Sequence, residues 1–157
     1  MVKLKFFEQK DIPGVSYTLD EEQLQYTATA QQALQRIEER GDTLAFPITI
    51  FDDEDPVGFF VLDFGNDKLE LTDNQNAMLL RSFSINPGYQ GKGIGKAAMI
   101  QVDEFVRENF SECDEIVLAV NRNNTSAYQL YLKVGYQYEG KERIGRSGPQ
   151  YLMSKKL

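Results

Sequence analysis

The order of apolar and polar residues predicts seven β-strands, either as an alternation of the two types or as short β-forming apolar runs. The predicted strands are Val2–Glu8, Thr43–Phe51, Val57–Phe64, Ala77–Ile85, Glu115–Val120, Tyr136–Arg143 and Pro149–Leu157. Only a short acidic turn separates the second and third strands, which indicates a hairpin. The fifth strand is almost wholly apolar, as expected of a strand buried on both faces.

Apolar residues at helical spacing predict helices between these strands. Residues 20–40 form one loosely helical run that ends at Gly41, and Thr27 and Thr29 are positioned to divide it into two shorter helices. The later helices are Gly93–Phe110 and Asn124–Val134. Residues 11–17 are expected to be a turn, and residues 65–75 a loop or a sheet edge.

Strands thus come first as an antiparallel meander and then as strand–helix–strand–helix–strand. This order predicts an α+β fold with a mixed sheet and at least one parallel crossover connection. A chain of 157 residues without an internal repeat or linker is expected to form a single domain, residues 1–157.

The absence of histidine narrows the possible chemistry more than any other feature of the composition. It removes a Ser-His-Asp triad, a Cys-His pair and an HExxH zinc site, and a single cysteine excludes a thiolate cluster. We therefore expect no metal. The net charge of −7 argues against a nucleic-acid partner and mildly favours cationic small molecules. No apolar run has the length of a membrane span or a signal peptide, so we expect no membrane partner and a cytoplasmic protein.

A glycine-rich, basic segment, Gly88–Ala97, connects the fourth predicted strand to the following helix. A strand, a glycine-rich turn and a helix together form an arrangement that binds phosphate. Free N–H groups at the start of the helix point outward, and the helix dipole favours an anion. Lys92 and Lys96 add positive charge. The alternative is a turn that only caps the helix.

Two well-known phosphate-binding patterns fit this segment poorly. A Walker A loop requires Ser or Thr after Gly95-Lys96 and a glycine at the position of Gln90, and the chain has neither. The Rossmann pattern GxGxx[GA] is met at positions 93, 95 and 98. However, too little chain follows for that fold, and the next strand runs into Asn121 rather than a ribose-binding carboxylate.

The segment INPGYQGKGIGKA resembles a third pattern, the motif of the GNAT superfamily of acetyl-CoA-dependent N-acetyltransferases. In that motif an apolar strand end, often followed by proline, leads into Q/R-x-x-G-x-G/A at the start of a helix. Gln90, Gly93 and Gly95 occupy the signature positions, after Ile85 and Pro87.

A second segment, NRNNTSAYQLYLKVGY, resembles the N-x-x-A-x-x-L-Y-x-x-x-G-F/Y stretch of the same family. The matching residues are Asn124, Ala127, Leu130, Tyr131, Gly135 and Tyr136. A looser similarity, carried by residues 21–34 and 84–96 and a short C-terminal strand, extends to bacterial spermine/spermidine acetyltransferases. The resemblance implies a mixed, mostly antiparallel sheet flanked by helices, with a parallel strand–helix–strand unit that holds the cofactor.

The same resemblance implies acetyl-CoA as the cosubstrate and assigns residues to it. The family's fourth strand splays from its neighbour and pairs with pantetheine, the glycine loop cradles the pyrophosphate, and an asparagine that caps the next helix also bonds the cofactor. The residues so assigned are Phe83, Ser84, Ile85, Gln90, Gly91, Lys92, Gly93, Ile94, Gly95, Lys96, Asn124 and Tyr131.

Tyr131 is the expected catalytic acid, because a phenol with a pKa of about 10 is protonated at neutral pH and can donate to a departing thiolate. The alternatives are that Tyr131 is a half-buried core residue, or that the neighbouring Tyr128 takes this role.

The general base is left open by the sequence. The strand that ends at Ile85 offers Arg81 and no carboxylate, so the base would be a water chain to a distant acid, or a residue such as Glu21 or Glu22. A cation at position 81 is an odd neighbour for a polyamine. Either Arg81 is paired with an acid, or the true substrate carries a carboxylate.

The expected activity is direct acetyl transfer from acetyl-CoA to a primary amine of a small molecule, with a polyamine such as spermidine or spermine as the leading class. Acetylation of a peptide or protein amine, and a non-catalytic domain that senses acyl-CoA, are the alternatives. Whether the chain forms a homodimer stays open.

Overall fold

A computed structural model describes all residues from Met1 to Leu157. It contains seven strands and five α-helices. The strands are β1 (Val2–Phe6), β2 (Ala45–Asp52), β3 (Asp55–Asp63), β4 (Ala77–Ile85), β5 (Glu115–Asn121), β6 (Gln137–Gly145) and β7 (Gly148–Lys156). The helices are α1 (Ile12–Val15), α2 (Glu21–Tyr26), α3 (Ala30–Arg40), α4 (Ile94–Asn109) and α5 (Thr125–Lys133).

The strands form one sheet in the order β1-β2-β3-β4-β5-β7-β6, in which every neighbouring pair is antiparallel except β4 and β5. The predicted α+β class, with its mostly antiparallel sheet and parallel strand–helix–strand unit, is confirmed. The crossover between the two parallel strands is α4, as the strand–helix–strand order of the sequence requires.

Helices cover both faces of the sheet. Side chains of α4 and α5, including Ala98, Val102 and Tyr131, pack with Phe60 and Met78 in the main core on one face. On the opposite face, α1 and α3 pack against β3. That second core consists of Val15, Ala30, Ala33, Ala45, Phe59 and Val61.

The long helical run near the N-terminus is divided as predicted. The break falls at residues 27–29, and the Thr29 side-chain oxygen accepts a hydrogen bond from the Gln32 amide and caps α3. Gly41 ends α3 with a φ of 62°, a conformation that glycine adopts without the steric penalty of a side chain.

Two segments are more ordered than predicted. The expected turn at residues 11–17 contains α1, preceded by a 3₁₀ helix at Gln9–Asp11, and the expected loop at residues 65–75 contains a 3₁₀ helix at Asn66–Glu70. All three helices are too short to show a periodic apolar pattern, so the order of apolar and polar residues offers no basis for predicting them.

No helix in the structure combines the length and the apolar character needed to cross a membrane.

The feature that positions the functional site is the separation of β4 from β5. Only three residue pairs connect these strands, the last of them Leu79 with Val117, although β4 continues to Ile85 and β5 to Asn121. A β-bulge in β4 accompanies the separation. Ser82 and Phe83 together stand opposite Phe60, and Ser82 has a φ of 59°, which is uncommon for a residue other than glycine.

Candidate active site

A cleft of about 880 Å³ runs through the gap between β4 and β5. One half is lined by the start of α4, by α5 and by the end of β4. The other half is lined by α2, by Arg36 of α3 and by the β6–β7 turn. Because α5 and α3 lie on opposite faces of the sheet, the cleft connects the two faces through the sheet.

The start of α4 presents a row of unpaired main-chain donors to the cleft. None of the six N–H groups from Gly91 to Lys96 donates a hydrogen bond within the protein, and the first bond of the helix is donated by Ala97 to the Gly93 carbonyl. No side chain caps this helix, since its N-cap is Gly93. Such unpaired N–H groups at a helix N-terminus, at the positive end of the helix dipole, suit an anion.

Glycine keeps this row of donors accessible. Gly91 and Gly93 have φ angles of 78° and 79°, and no atom lies within 4 Å of the place where a Cβ would stand on either residue. The backbone is therefore open to close approach by a ligand.

Side chains and main-chain bonds fix the loop that precedes α4. The Gln90 amide group donates to the Ile85 carbonyl at 2.9 Å, which ties the loop back to the end of β4. The Asn86 carboxamide accepts from the Gly88 N–H at 2.9 Å, and the Asn86 N–H donates to the Val57 carbonyl at 2.7 Å. The start of α4 is thus held in place relative to the splayed strand.

The end of β4 carries a contact that the sequence did not reveal. The Tyr17 hydroxyl donates to the Ser84 carbonyl at 3.0 Å and shares a 2.6 Å hydrogen bond with the Ser84 hydroxyl. Burial raises the pKa of Tyr17 to about 12, so this phenol stays protonated in the neutral range. Ser84 is therefore held by the loop before α2, and no local motif around Tyr17 signals this contact.

Tyr131 and Tyr128 occupy different surroundings although both lie on α5. Tyr131 is buried and lines the cleft, its hydroxyl makes no hydrogen bond within the protein, and its burial raises the pKa of its phenol above the usual value. Tyr128 instead packs against the rings of Tyr138 and Tyr151, with its ring centroid 6.3 and 5.1 Å from theirs. Of the two tyrosines, only Tyr131 faces the cleft.

Asn124 begins α5 at the same edge of the cleft. Its side-chain oxygen accepts a hydrogen bond from the Ala127 amide at 3.4 Å, so it caps the helix as predicted. It also lines the cleft.

Arg81 is paired with an acid, which was one of the two alternatives left open by the sequence. Its guanidinium lies 3.2 Å from the Asp63 carboxylate, and the two side chains are only 15 % and 5 % exposed. The Nε of Arg81 is buried and has no hydrogen-bond partner, although the residue lines the cleft.

Acidic side chains are scarce in the cleft. Of the two candidate bases, Glu22 lines the cleft and Glu21 does not. The other lining carboxylate, Asp20, accepts from the Gln23 N–H at 2.8 Å as the N-cap of α2.

The structure brings eleven of the twelve residues assigned to the cofactor into this cleft. The exception is Lys92, which does not line the cleft; its ammonium lies 5.3 Å from the centre of the Tyr89 ring. The residues that sequence reasoning missed are Tyr17 and the arginines of the opposite half, Arg36, Arg143 and Arg146.

Comparison with solved structures agrees with this fold. The chain aligns with the aminoglycoside acetyltransferase AAC(6')-Ib in complex with coenzyme A and kanamycin, with a TM-score of 0.78 at 17 % identity, covering 99 % of this chain and 95 % of that one. It aligns with spermidine N-acetyltransferase from Vibrio cholerae in complex with CoA and spermine, with a TM-score of 0.74 at 17 % identity and the same coverage, 99 % and 95 %.

Sequence comparison finds two relatives in Bacillus subtilis (strain 168). The chain is 35 % identical to the uncharacterized N-acetyltransferase YbbJ over 157 residues, covering 97 % of this chain and 95 % of the relative. It is 33 % identical to the spermine/spermidine N(1)-acetyltransferase over 95 residues, which is 60 % of each chain.

The acetyltransferase (GNAT) family model matches residues 12–136, which include both predicted motifs and most of the sheet. The splayed strands, the uncapped start of α4 and these matches agree with one another. The chain belongs to the GNAT family and is an N-acetyltransferase.

Proposed function

We propose that the protein transfers an acetyl group from acetyl-CoA to a primary amine of a small molecule, by direct attack while both substrates are bound. The observation that carries the proposal is the row of six unpaired N–H groups from Gly91 to Lys96. A diphosphate has the charge and the acceptor atoms to satisfy such a row. The crystal structures of AAC(6')-Ib and of the Vibrio cholerae enzyme, which share the fold, are complexes with coenzyme A.

In this proposal the pantetheine arm lies in the gap between β4 and β5. Beyond Leu79 the edge of β4 has no strand beside it, so an extended amide-containing chain can pair with Phe83, Ser84 and Ile85. The bulge at Ser82 changes the direction of the main chain immediately before these residues. One of these N–H groups would then stabilise the charge that develops on the thioester oxygen.

The reaction requires a neutral amine and a protonated leaving group. The amine nitrogen attacks the thioester carbon, the carbon–sulfur bond breaks, and the sulfur takes the proton of the Tyr131 phenol. Burial raises the pKa of Tyr131, so the group is protonated when the reaction begins. Glu22 is the one carboxylate in the cleft without a hydrogen bond or an ion pair. We assign it the removal of the amine proton, directly or through water. The proton lost by the amine then returns to the tyrosine through solvent.

Two observations bear differently on the acceptor. The similarity to the Bacillus subtilis spermine/spermidine N(1)-acetyltransferase and to the Vibrio cholerae spermidine N-acetyltransferase favours a polyamine, as the sequence predicted. The side chains of the cleft favour the opposite charge, since Glu22 is its one carboxylate without another role, whereas several arginines line it.

The test of this proposal is cofactor binding and amine-dependent release of CoA thiol. Gly93→Asp places a carboxylate among the unpaired amides, so we expect the affinity for acetyl-CoA to fall at least about a hundredfold, as like charges are forced together. Gly41→Asp is the matched control, because Gly41 also has a positive φ and open space around it but lies outside the cleft.

Calorimetry measures the affinity, and thiol release with an amine panel measures the transfer. Unchanged affinity in Gly93→Asp would place the diphosphate elsewhere. A wild-type protein that binds acetyl-CoA and acetylates no amine would be an acyl-CoA sensor rather than an enzyme.

A further inference from the structure

The half of the cleft opposite the glycine loop is lined by arginine side chains from three separate parts of the chain. They are Arg36 of α3, Arg81 of β4, and Arg143 and Arg146 of the β6–β7 hairpin. The only carboxylates that line the cleft are Asp20 and Glu22. This charge distribution is unexpected in a chain whose net charge is −7.

Arg81 and Arg143 lie on the same face of the sheet, on either side of the gap. Arg81 stands opposite Val61, which belongs to the core beneath α1 and α3. Arg143 stands opposite Gln150, and Gln150 opposite Asn121. Asn121 is two residues from Ala119 and four from Val117, so all three point to the face on which Leu79 and Arg81 lie.

The acids that hold these arginines lie behind them. Asp63, Asp67 and Glu70 all come from the end of β3 and the connection after it, and none of the three lines the cleft. Asp63 holds Arg81 at 3.2 Å, and Glu70 holds Arg143 at 3.0 Å. The carboxylates therefore orient the guanidinium groups from the side away from the cleft.

Each guanidinium keeps donors for a ligand. Arg81 donates to Asp63 through its Nη2, which leaves its Nη1, and Arg143 uses its Nε and Nη1 on Gln150 and Glu70, which leaves its Nη2. Arg146 has no acid within 4.0 Å, and its Nη2 donates to the Leu24 carbonyl at 2.8 Å. A guanidinium offers five donors in a planar fork that matches a carboxylate.

We infer that the acceptor is a primary amine that also carries a carboxylate, and that Arg81, Arg143 and Arg146 receive this carboxylate while the amine faces the gap between β4 and β5. The inference rests on the proposed acetyl transfer and names the class of its acceptor. A polyamine would place several positive charges beside the arginines, and the only carboxylate there without a hydrogen bond or ion pair is Glu22. An amino acid instead has a carboxylate that the arginines can bind and an amine that can face the gap.

The test compares amino acids with their own carboxamides, which keep the carbon skeleton and the primary amine but lack the negative charge. Spermidine, spermine and O-phosphoethanolamine complete the panel. We expect the wild-type kcat/KM to be at least about tenfold higher for the acids than for the matching carboxamides, because a charge-assisted hydrogen bond is lost with the carboxylate.

Arg146→Gln and Arg143→Gln test the residues on a hairpin where substitution is not expected to disturb the core. Each is expected to raise KM for the amino acid roughly tenfold and to leave kcat nearly unchanged. KM for the carboxamide is expected to stay the same, because the carboxamide lacks the charge that the arginine binds. Arg107→Gln is the matched control, since Arg107 is exposed on α4 and outside the cleft. The inference would be overturned if carboxamides, polyamines or the phosphate ester reacted as well as the amino acids. It would also be overturned if both hairpin variants kept the wild-type preference.

Calorimetric binding of the same amines to the CoA-bound protein separates the two proposals. Selective binding of amino acids without thiol release would support the inference about the ligand and overturn the proposed reaction. Thiol release with no preference for a carboxylate would support the proposed reaction and overturn the inference about the ligand. An absence of both binding and release for every amine would overturn both.

Discussion

Tyr131 shows how strongly the role of a residue depends on its surroundings. It lies three positions after Tyr128 on the same short helix, yet one phenol faces the cleft and the other packs in an aromatic cluster with Tyr138 and Tyr151. Burial stabilises the neutral form of the Tyr131 side chain, as its proposed role of proton donor requires.

We predict that Tyr131→Phe lowers kcat about a hundredfold and leaves the affinity for acetyl-CoA within a few-fold of wild type, since general acid catalysis typically contributes this much. Stopped-flow thiol release and calorimetry measure the two quantities. Tyr128→Phe is the control and is expected to keep its turnover. Equal kcat values in the two variants would remove Tyr131 from the chemistry.

The residues that the sequence could identify are those that belong to local motifs. Gln90, Gly93 and Asn124 could be assigned because loop and helix-cap geometry depends on neighbours within a few positions. Tyr17 and Arg146 could not, because their contacts with Ser84 and Leu24 join parts of the chain 67 and 122 residues apart. Lys92 shows the limit of the motif itself, since it lies inside the motif and does not line the cleft.

Among the elements, β4 combines the two irregularities on which the site depends. It loses its parallel partner after Leu79 and carries the bulge at Ser82. Apolar patterning predicted the strand with its observed boundaries, Ala77–Ile85, but gave no sign of the bulge, because a bulge changes pairing rather than hydrophobicity. The positive φ of Ser82 is the cost of this geometry.

We predict that Ser82→Gly raises the free energy of unfolding by about 1 kcal/mol, because glycine adopts a positive φ without steric strain. Ser82→Val is expected to lower it by at least about 1 kcal/mol and to reduce turnover, since a β-branched residue resists this conformation. Urea unfolding followed by circular dichroism measures both values. A stabilised valine variant would show that the bulge relaxes without cost.

At the scale of the whole molecule, the sheet is divided into two blocks, β1–β4 and β5–β7. Within the sheet, only three residue pairs join the two blocks. The meander and the crossover unit could be predicted from the order of elements along the chain. The width of the gap could not, because it depends on where pairing stops, and both strands continue past that point, to Ile85 and Asn121.

A ligand that pairs across this gap should stabilise the protein as a whole. We predict that acetyl-CoA at about a hundred times its dissociation constant raises Tm by roughly 5–10 °C, because binding at that excess contributes about 2.7 kcal/mol. Differential scanning fluorimetry measures the shift, which Gly93→Asp should abolish and Gly41→Asp should retain. A shift that persists in Gly93→Asp would mean that the stabilising contacts lie away from α4.

The division of the cleft between two sets of elements has an evolutionary consequence. The glycine loop and α5 are compact stretches of sequence, whereas the opposite wall is assembled from α2, α3 and a surface hairpin near the C-terminus. In the proposed reaction, substitutions or length changes in that hairpin would alter which amine is accepted without weakening the binding of acetyl-CoA. Donor recognition and acceptor choice can therefore diverge independently, and acceptor range is expected to vary fastest at the tip between β6 and β7.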